Sequence, residues 1–325
     1  MKISENALNI LAAKTYRGIG RAWIVKRLQG NESTSTIVAL LNQDAKEWRS
    51  ISIGEFERNK ENIRSRLGRL AGVIDGVVAV GDPNFPPHRG VVKNSEKPVA
   101  LFYRGDLSLL EKHNKNIAVI GLLNPDEDTE ATEKAVVSSL VSNGATIVSG
   151  LALGCDSIAH KQALLSGGKT VAILPGPLNE ILPQANKRLA EEIVEGHGLL
   201  ISEYYEKANS KMESSGRYQE RDRLQALFSD CVVLSASYTK NGLGNDSGSR
   251  LAMEYALSYS IPRAVMYDST LNAGNPKYDL NRQLIGEDSG IIVIVGNNLQ
   301  GAIENIMSEC VESPIETLVQ KDLFG

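Results

Sequence analysis

From residue 116 onward the chain alternates short, nearly unbroken apolar runs with longer segments whose apolar positions recur at helical spacing. The runs are NIAVIG, ATIVSG, KTVAIL, GLLISE, DCVVLSA, IPRAVMY and GIIVIV. Strands covered on both faces read this way. The intervening segments predict helices at 126–143, 155–166, 186–195, 219–229, 247–259 and 297–308. Regular alternation implies an α/β fold, a doubly wound, Rossmann-like and mostly parallel sheet with right-handed crossovers. Such sheets bind ligands beyond the carboxyl ends of their strands, so the loops after the strands are where chemistry is sought.

The earlier part has a different pattern. Residues 1–72 predict a small helical N-terminal domain built from ALNILAA, AWIVKRL, STSTIVALLNQ and IGEFERNKENIRSRLGRL. The turn Tyr16-Arg17-Gly18-Ile19-Gly20 admits two readings: a helix-hairpin-helix that touches a DNA backbone, or a bundle that packs on the next domain. Residues 73–115 read as an extended β connector with one or two strands, packed on the main domain at 116–310. Residues 311–325 form a C-terminal tail.

Composition narrows the classes. The 325 residues are 42% hydrophobic and 23% charged, with a formal net charge of −4. That excludes a chain-wide basic surface and leaves room for a local basic groove. Cys155, Cys231 and Cys310 are far apart and show no C-x-x-C spacing, so neither zinc nor a disulfide framework is expected, and no cofactor is called for. No run reaches the ~18 apolar residues of a membrane span. The start, MKISENALNILAAK, lacks a signal-type apolar core. A cytoplasmic protein with reduced thiols is expected.

Each strand-end loop carries a candidate. The first, AVIGLLNPDEDTEA, has Gly121 followed by Leu122 and Leu123, then Asp126, Glu127 and Asp128. The acids suit a helix N-terminus but repel phosphate; Asn124 or Asp126 caps the helix, with Pro125 near its first position. After the second strand come Ser149, Gly150 and Gly154, which allow close backbone approach, and Asp156 or Ser157 as a cap. His160, one turn in, reads as structural. After the third strand, Asn186, Lys187 and Arg188 open a helix with two cations, facing either an anion or solvent. After the fourth, a polar loop holds Arg217, Arg221 and Arg223 with Tyr218 between them. Cations for phosphates and a ring for a base suit single-stranded nucleic acid, while Glu220 and Asp222 offer ion pairs instead. After the fifth, Ser247, Gly248 and Ser249 open a helix as an anion site.

Together these pieces resemble the DNA-processing protein A family (DprA/Smf). "IVSGLALGCDSIAHKQALLSGGKTVAIL" is similar to its Ser-Gly-x-Ala-x-Gly-x-Asp-x-x-Ala-His signature. "LPQANKRLAEEIVEGHGLLISEY", "RYQERDRLQALFSDCVVLSAS" and "DSGSRLAMEYAL" resemble its Tyr-Pro-x-x-Asn-x-x-Leu, Arg-Asn-Arg and Ser-Gly-Ser segments. The resemblance runs over about residues 5–300. It implies a homodimer that binds single-stranded DNA without sequence preference, protects it and helps load a RecA-type recombinase in DNA uptake, natural transformation and recombination. No reaction is attached to that role, so a binding protein and not an enzyme is expected. The implied groove comprises Ser149, Gly150, Gly154, Asp156, Asn186, Lys187, Arg217, Arg221, Arg223, Ser247, Gly248 and Ser249. Replacing Arg221 and Arg223 by alanine is then expected to flatten the salt dependence of binding.

The chain departs from the pattern in places. Gly121-Leu122-Leu123 stands where the family has Gly-Ser-Arg, Leu182 where it has tyrosine, and Asp222 where it has asparagine. Its Pro-Gly after the sixth strand is missing, and a C-terminal winged-helix domain does not fit after residue 300. The first junction therefore reads as a phosphate site given up. Two alternatives follow from these departures. A nucleotide sensor or phosphoribohydrolase-like enzyme of the wider superfamily would use Gly248-Ser249 with Glu254. A dinucleotide-dependent dehydrogenase would need a G-x-G-x-x-G that the first strand lacks.

Overall fold

A ten-stranded sheet runs through the molecule in the order β1-β2-β3-β7-β6-β5-β4-β8-β9-β10. The computed structural model describes all residues except 243, 245–247 and 310–325, so Ser247, Cys310 and the tail lie outside it. In chain order the elements are β1 (Lys2–Ile3), α1 (Glu5–Ala13), α2 (Arg21–Arg27), α3 (Thr34–Asp44), α4 (Ile53–Gly68), β2 (Gly76–Ala79) and β3 (Ala100–Gly105). Then come β4 (Lys115–Ile120), α5 (Glu127–Ser142), β5 (Ala145–Ser149), α6 (Cys155–Leu165), β6 (Thr170–Ile173), α7 (Lys187–Glu195) and β7 (Leu199–Ser202). The chain continues through α8 (Lys211–Leu227), β8 (Cys231–Leu234), α9 (Ser249–Ser258), β9 (Arg263–Met266), α10 (Asp279–Glu287), β10 (Ile292–Ile294) and α11 (Leu299–Glu309).

Strands β4 to β10 are mutually parallel. β3 runs antiparallel to both β2 and β7, which joins the connector to the main sheet. The fold is thus an α/β, mostly parallel, Rossmann-like sheet. Its order reverses between β4 and β8, the topological switch point at which such folds form a crevice.

Period-two alternation sorts the core onto two faces. Ile117, Val119, Ile147 and Val233 pack under α5, α6 and α11. Ala118, Ile120, Val148 and Val232 pack under α8 and α9. The N-terminal helices bring Ile10, Phe56 and Leu67 into one cluster with Phe102, Ala172 and Leu200, so they share a core with the sheet. Lys46 N–H donates to the Arg17 carbonyl at 2.7 Å, which holds the Gly18 turn against the α3–α4 connection.

One element differs from the expected pattern. Helix α8 begins at Lys211, eight positions before the apolar spacing predicts, so Arg217 and Tyr218 are helical and not in a loop. Ser210 caps it, accepting from Glu213 N–H at 3.1 Å, while Glu213 Oε2 accepts from Asn209 N–H at 2.8 Å. This Ser-x-x-Glu arrangement is a capping-box signature that starts a helix without an apolar stripe.

Candidate nucleic-acid interface

The first two strand-end loops are stitched together. Cys155 N–H donates to the Leu122 carbonyl at 2.9 Å. Gly154 sits at φ +71°, and a Cβ there would lie 2.2 Å from the same carbonyl, so only glycine fits. Leu122 is buried against Cys155, Ala236 and Tyr278, whereas Leu123 is 44% exposed. Asp126, not Asn124, caps α5, accepting from Thr129 N–H at 3.0 Å. Partial burial works against its charge, but the Thr129 hydroxyl and amide and the Lys277 ammonium outweigh it and pull the carboxyl down to about 2. Beneath the turn, Glu133 is wholly buried beside the Cys155 thiol and the Ser235 hydroxyl.

The loop after β5 is built by buried polar groups. Ser149 Oγ donates to the Val119 carbonyl at 2.7 Å and points into the sheet. Asn186 Nδ2 donates to the carbonyls of Leu151 and Ala152 at 2.9 and 3.0 Å, holding Leu151 at φ 59°. Gly150 leaves room for the Arg221 guanidinium, whose Nη1 donates to Asp156 Oδ2 at 3.2 Å. His160 Nδ1 lies 2.6 Å from Thr170 Oγ1. That hydroxyl already donates to Ile147 O, so it accepts from Nδ1–H and His160 is neutral and structural. Burial, with Arg221 nearby, pushes the imidazole down to about 3.

The three arginines of α8 are all buried. Arg221 lies against Asp156 and Asp222. Arg223 pairs with Glu203 and Glu220, and Arg21 of α2 meets the same two acids at 3.2 and 2.8 Å, tying the N-terminal helices to α8. Arg217 stacks 4.0 Å over the Tyr204 ring and donates to the Glu206 carbonyl and to Glu213, both at 2.6 Å. The ion-pair alternative therefore describes Arg221 and Arg223, and they are not the exposed phosphate track of the first expectation. At α9, Gly248 adopts φ +84° with Asp222 against its Cα, and Ser249 Oγ donates to the Gly121 carbonyl at 3.2 Å. Lys187 is exposed, away from this cluster.

These contacts fill the crevice at the switch point. What remains among the described residues is a cavity of about 10 Å³ lined by Gly121, Leu123, Asp156, Arg221 and Ser249, room for about one water. Space opens instead beyond β6. A cleft of about 340 Å³ lies between Pro175-Gly176-Pro177 and the start of α8, lined by Lys207, Lys211, Arg217, Leu182 and Tyr218. Tyr218 is 40% exposed, and Lys211 has no ion pair among the described residues. A second cleft, of about 420 Å³, adjoins it and holds Lys187. Sequence reading passed over Lys207 and Lys211; with Tyr218 they share one short polar segment, and that was the available signal. Among the described residues no cluster of His, Cys, Asp or Glu could hold a metal, and no helix is long and apolar enough to cross a membrane.

A doubly wound α/β chain with tightly packed glycine loops and a basic, aromatic-lined cleft at its strand ends defines the class. Within that class, the chain belongs to the DNA recombination-mediator protein A family, whose model matches residues 76–296. It is 41% identical over 176 residues to DNA processing protein DprA of Streptococcus pneumoniae, a match covering 53% of this chain and 58% of that protein. It is 37% identical over 145 residues to Protein Smf of Escherichia coli, covering 45% of this chain and 38% of the relative. Each of these matches spans less than two thirds of the relative's length. Among solved structures, S. pneumoniae DprA aligns with a TM-score of 0.66 at 24% identity over 90% of this chain and 95% of that one. DNA processing protein A of Helicobacter pylori, described for its single-stranded DNA binding mode, aligns at 0.56 and 28% identity over 72% of this chain and 96% of that one.

Proposed function

We propose that this chain binds single-stranded DNA without sequence preference, along the cleft between the β6 loop and the start of α8. The observation that carries the reading is the grouping of Lys207, Lys211 and Tyr218 around about 340 Å³ of open space, with the buried, paired Arg217 beside them. Cations neutralise successive phosphates and the exposed ring offers a face for a base, which is the sequence-tolerant mode of single-strand recognition. Family membership and the H. pylori relative support the same ligand. Ser149, Gly150, Gly154, Asp156, Asn186, Arg221, Arg223, Gly248 and Ser249 belong to the packed elements at the strand ends, outside that cleft, and Lys187 lines the adjoining one.

The reading is one of binding, with no reaction attached to it. Among the described residues the cavity at the switch point is only water-sized, which favours this reading over a nucleotide hydrolase that holds base and sugar there. On the family's model the protein acts in the cytoplasm as a homodimer, protecting the strand and passing it to a RecA-type recombinase during DNA uptake and recombination. An anisotropy titration with single-stranded oligonucleotide, duplex DNA and nucleoside monophosphates in parallel tests the reading. Preference for the single strand supports it; release of base from a monophosphate without oligonucleotide binding refutes it.

A further inference from the structure

We infer that the second cleft is a separate subsite for the same single strand, in which Arg104 and Lys187 hold a backbone phosphate. The inference rests on the single-strand reading above and extends it onto β3, outside the loops that carry the expected groove.

The cleft of about 420 Å³ runs from the β6 loop to β3, within the size range of small-ligand sites. Leu178, Ile181 and Leu200 give it an apolar wall, and Asn179 and Gln184 supply amides. Arg104 projects from β3, where its backbone pairs with Leu200 of β7, and is half-buried. Neither Arg104 nor Lys187 has an ion pair among the described residues. Most other arginines around the strand ends are already neutralised: Arg188 by Glu192 and Glu195, Arg217 by Glu213, Arg221 by Asp156. A half-buried arginine facing a cleft with no carboxylate partner is a site for an anion brought from outside. Two carboxylates also line the cleft, but Glu191 lies 3.6 Å from Arg188 and Glu180 2.6 Å from Lys207, so neither is paired with Arg104 or Lys187. Apolar wall, amides and these two cations together match a nucleotide unit: sugar and base against the wall, amides at a base edge, phosphate between the cations.

The two clefts meet at one ion pair. Glu180 and Lys207 line both, and Lys207 Nζ lies 2.6 Å from Glu180 Oε1. Lys207 is 71% exposed, and exposed pairs are weak and easily exchanged. A phosphate crossing the junction therefore replaces Glu180 as the partner of Lys207. Glu180 then acts as a built-in competitor that weakens binding of any strand long enough to span both clefts.

The test is a salt titration with oligo(dT) of increasing length, on the full chain and on the variants Arg104→Ala and Glu180→Gln. Arg104→Ala is expected to lose affinity for long oligomers and to lower the slope of log K against log salt by about 0.7, the value of one single-strand phosphate contact. Glu180→Gln, which adds no bulk, is expected to bind long oligomers several-fold more tightly, so the inference stays open to refutation even if Arg104→Ala misfolds. If the wild type binds but neither variant changes affinity or slope at any length, the subsite is wrong and the single-strand reading stands. If the variants alter binding of an acidic peptide such as polyglutamate but not of DNA, the subsite serves a protein and the inference is overturned. If the wild type binds no oligomer, the underlying reading fails as well.

Discussion

The Arg221 guanidinium occupies the space that a side chain on Gly150 would need: a Cβ built there lies 1.3 Å from Nη1. Asp156 Oδ2 is 3.2 Å from the same nitrogen and Asp222 Oδ1 is 3.3 Å from Nε, with each of these side chains 7% exposed. One buried cation thus serves two buried acids at the point where the sheet order reverses.

Removing that cation takes a buried charge partner from both carboxylates, although Asp156 keeps its bond from Ala152 N–H at 3.2 Å. Arg221→Ala is expected to cost about 3–5 kcal/mol, the usual penalty for breaking a buried pair from one side. Asp222→Asn, made in the same background, is expected to recover part of the loss, because one buried charge that has lost Arg221 disappears. Urea unfolding of the two variants checks both. An Arg221→Ala protein as stable as the wild type would mean that the guanidinium is not needed to hold these loops.

The pH dependence of stability is set from opposite sides by two buried groups. Burial raises the Glu133 carboxyl from 4.5 to about 8. The folded state then holds a proton that the unfolded state has released, so stability falls as pH rises from about 4.5 to about 8, by about 1.4 kcal/mol per unit. Burial lowers His160 from 6.5 to about 3. There the unfolded state binds the proton first, so stability falls as pH drops from about 6.5 toward 3. Glu133→Gln is expected to gain stability over the wild type near pH 8 and little near pH 5. Equal differences at both pH values in denaturant titrations would show that Glu133 is charged in the folded protein throughout.

Leu123 stands in the turn after β4, where the resemblance to the family implies an arginine. It is 44% exposed and borders the water-sized cavity at the strand ends. Leu123→Arg is expected to fold normally, since no buried apolar contact is lost, and to bind single-stranded DNA more tightly. The salt slope should steepen by about 0.7. An unchanged slope would show that the strand does not pass over this turn.

The parallel strands were legible because each is buried on both faces and leaves an unbroken apolar run. The glycine loops were legible as loops because Gly150 and Gly154 punctuate the pattern. Two things were hidden. The first turns of α8 have no apolar stripe, and only Ser210 and Glu213 announce them. Part of the arginine pairing was hidden as well: Glu213, Glu220 and Asp222 are local partners, but the others are distant in sequence. Arg221 meets Asp156 across 65 positions, and Arg21 meets Glu203 across 182. No local window contains such pairs, so the residues alone left both a phosphate track and local ion pairs open, and the resemblance favoured the track. The exposed cations, Lys207 and Lys211, drew less notice within the same stretch.

Equilibrium binding of a fluorescent oligo(dT) to the wild type and to the Lys211→Ala/Tyr218→Ala double variant, across a range of salt, tests the central claim most directly. The β6–α8 cleft predicts binding by the wild type at ~50 mM salt, where phosphate contacts are strong. It predicts that the double variant stays folded, loses about 1–3 kcal/mol from the missing base stack, and shows a slope shallower by about 0.7. A wild type that does not bind, or a double variant that binds with unchanged affinity and slope, would contradict it.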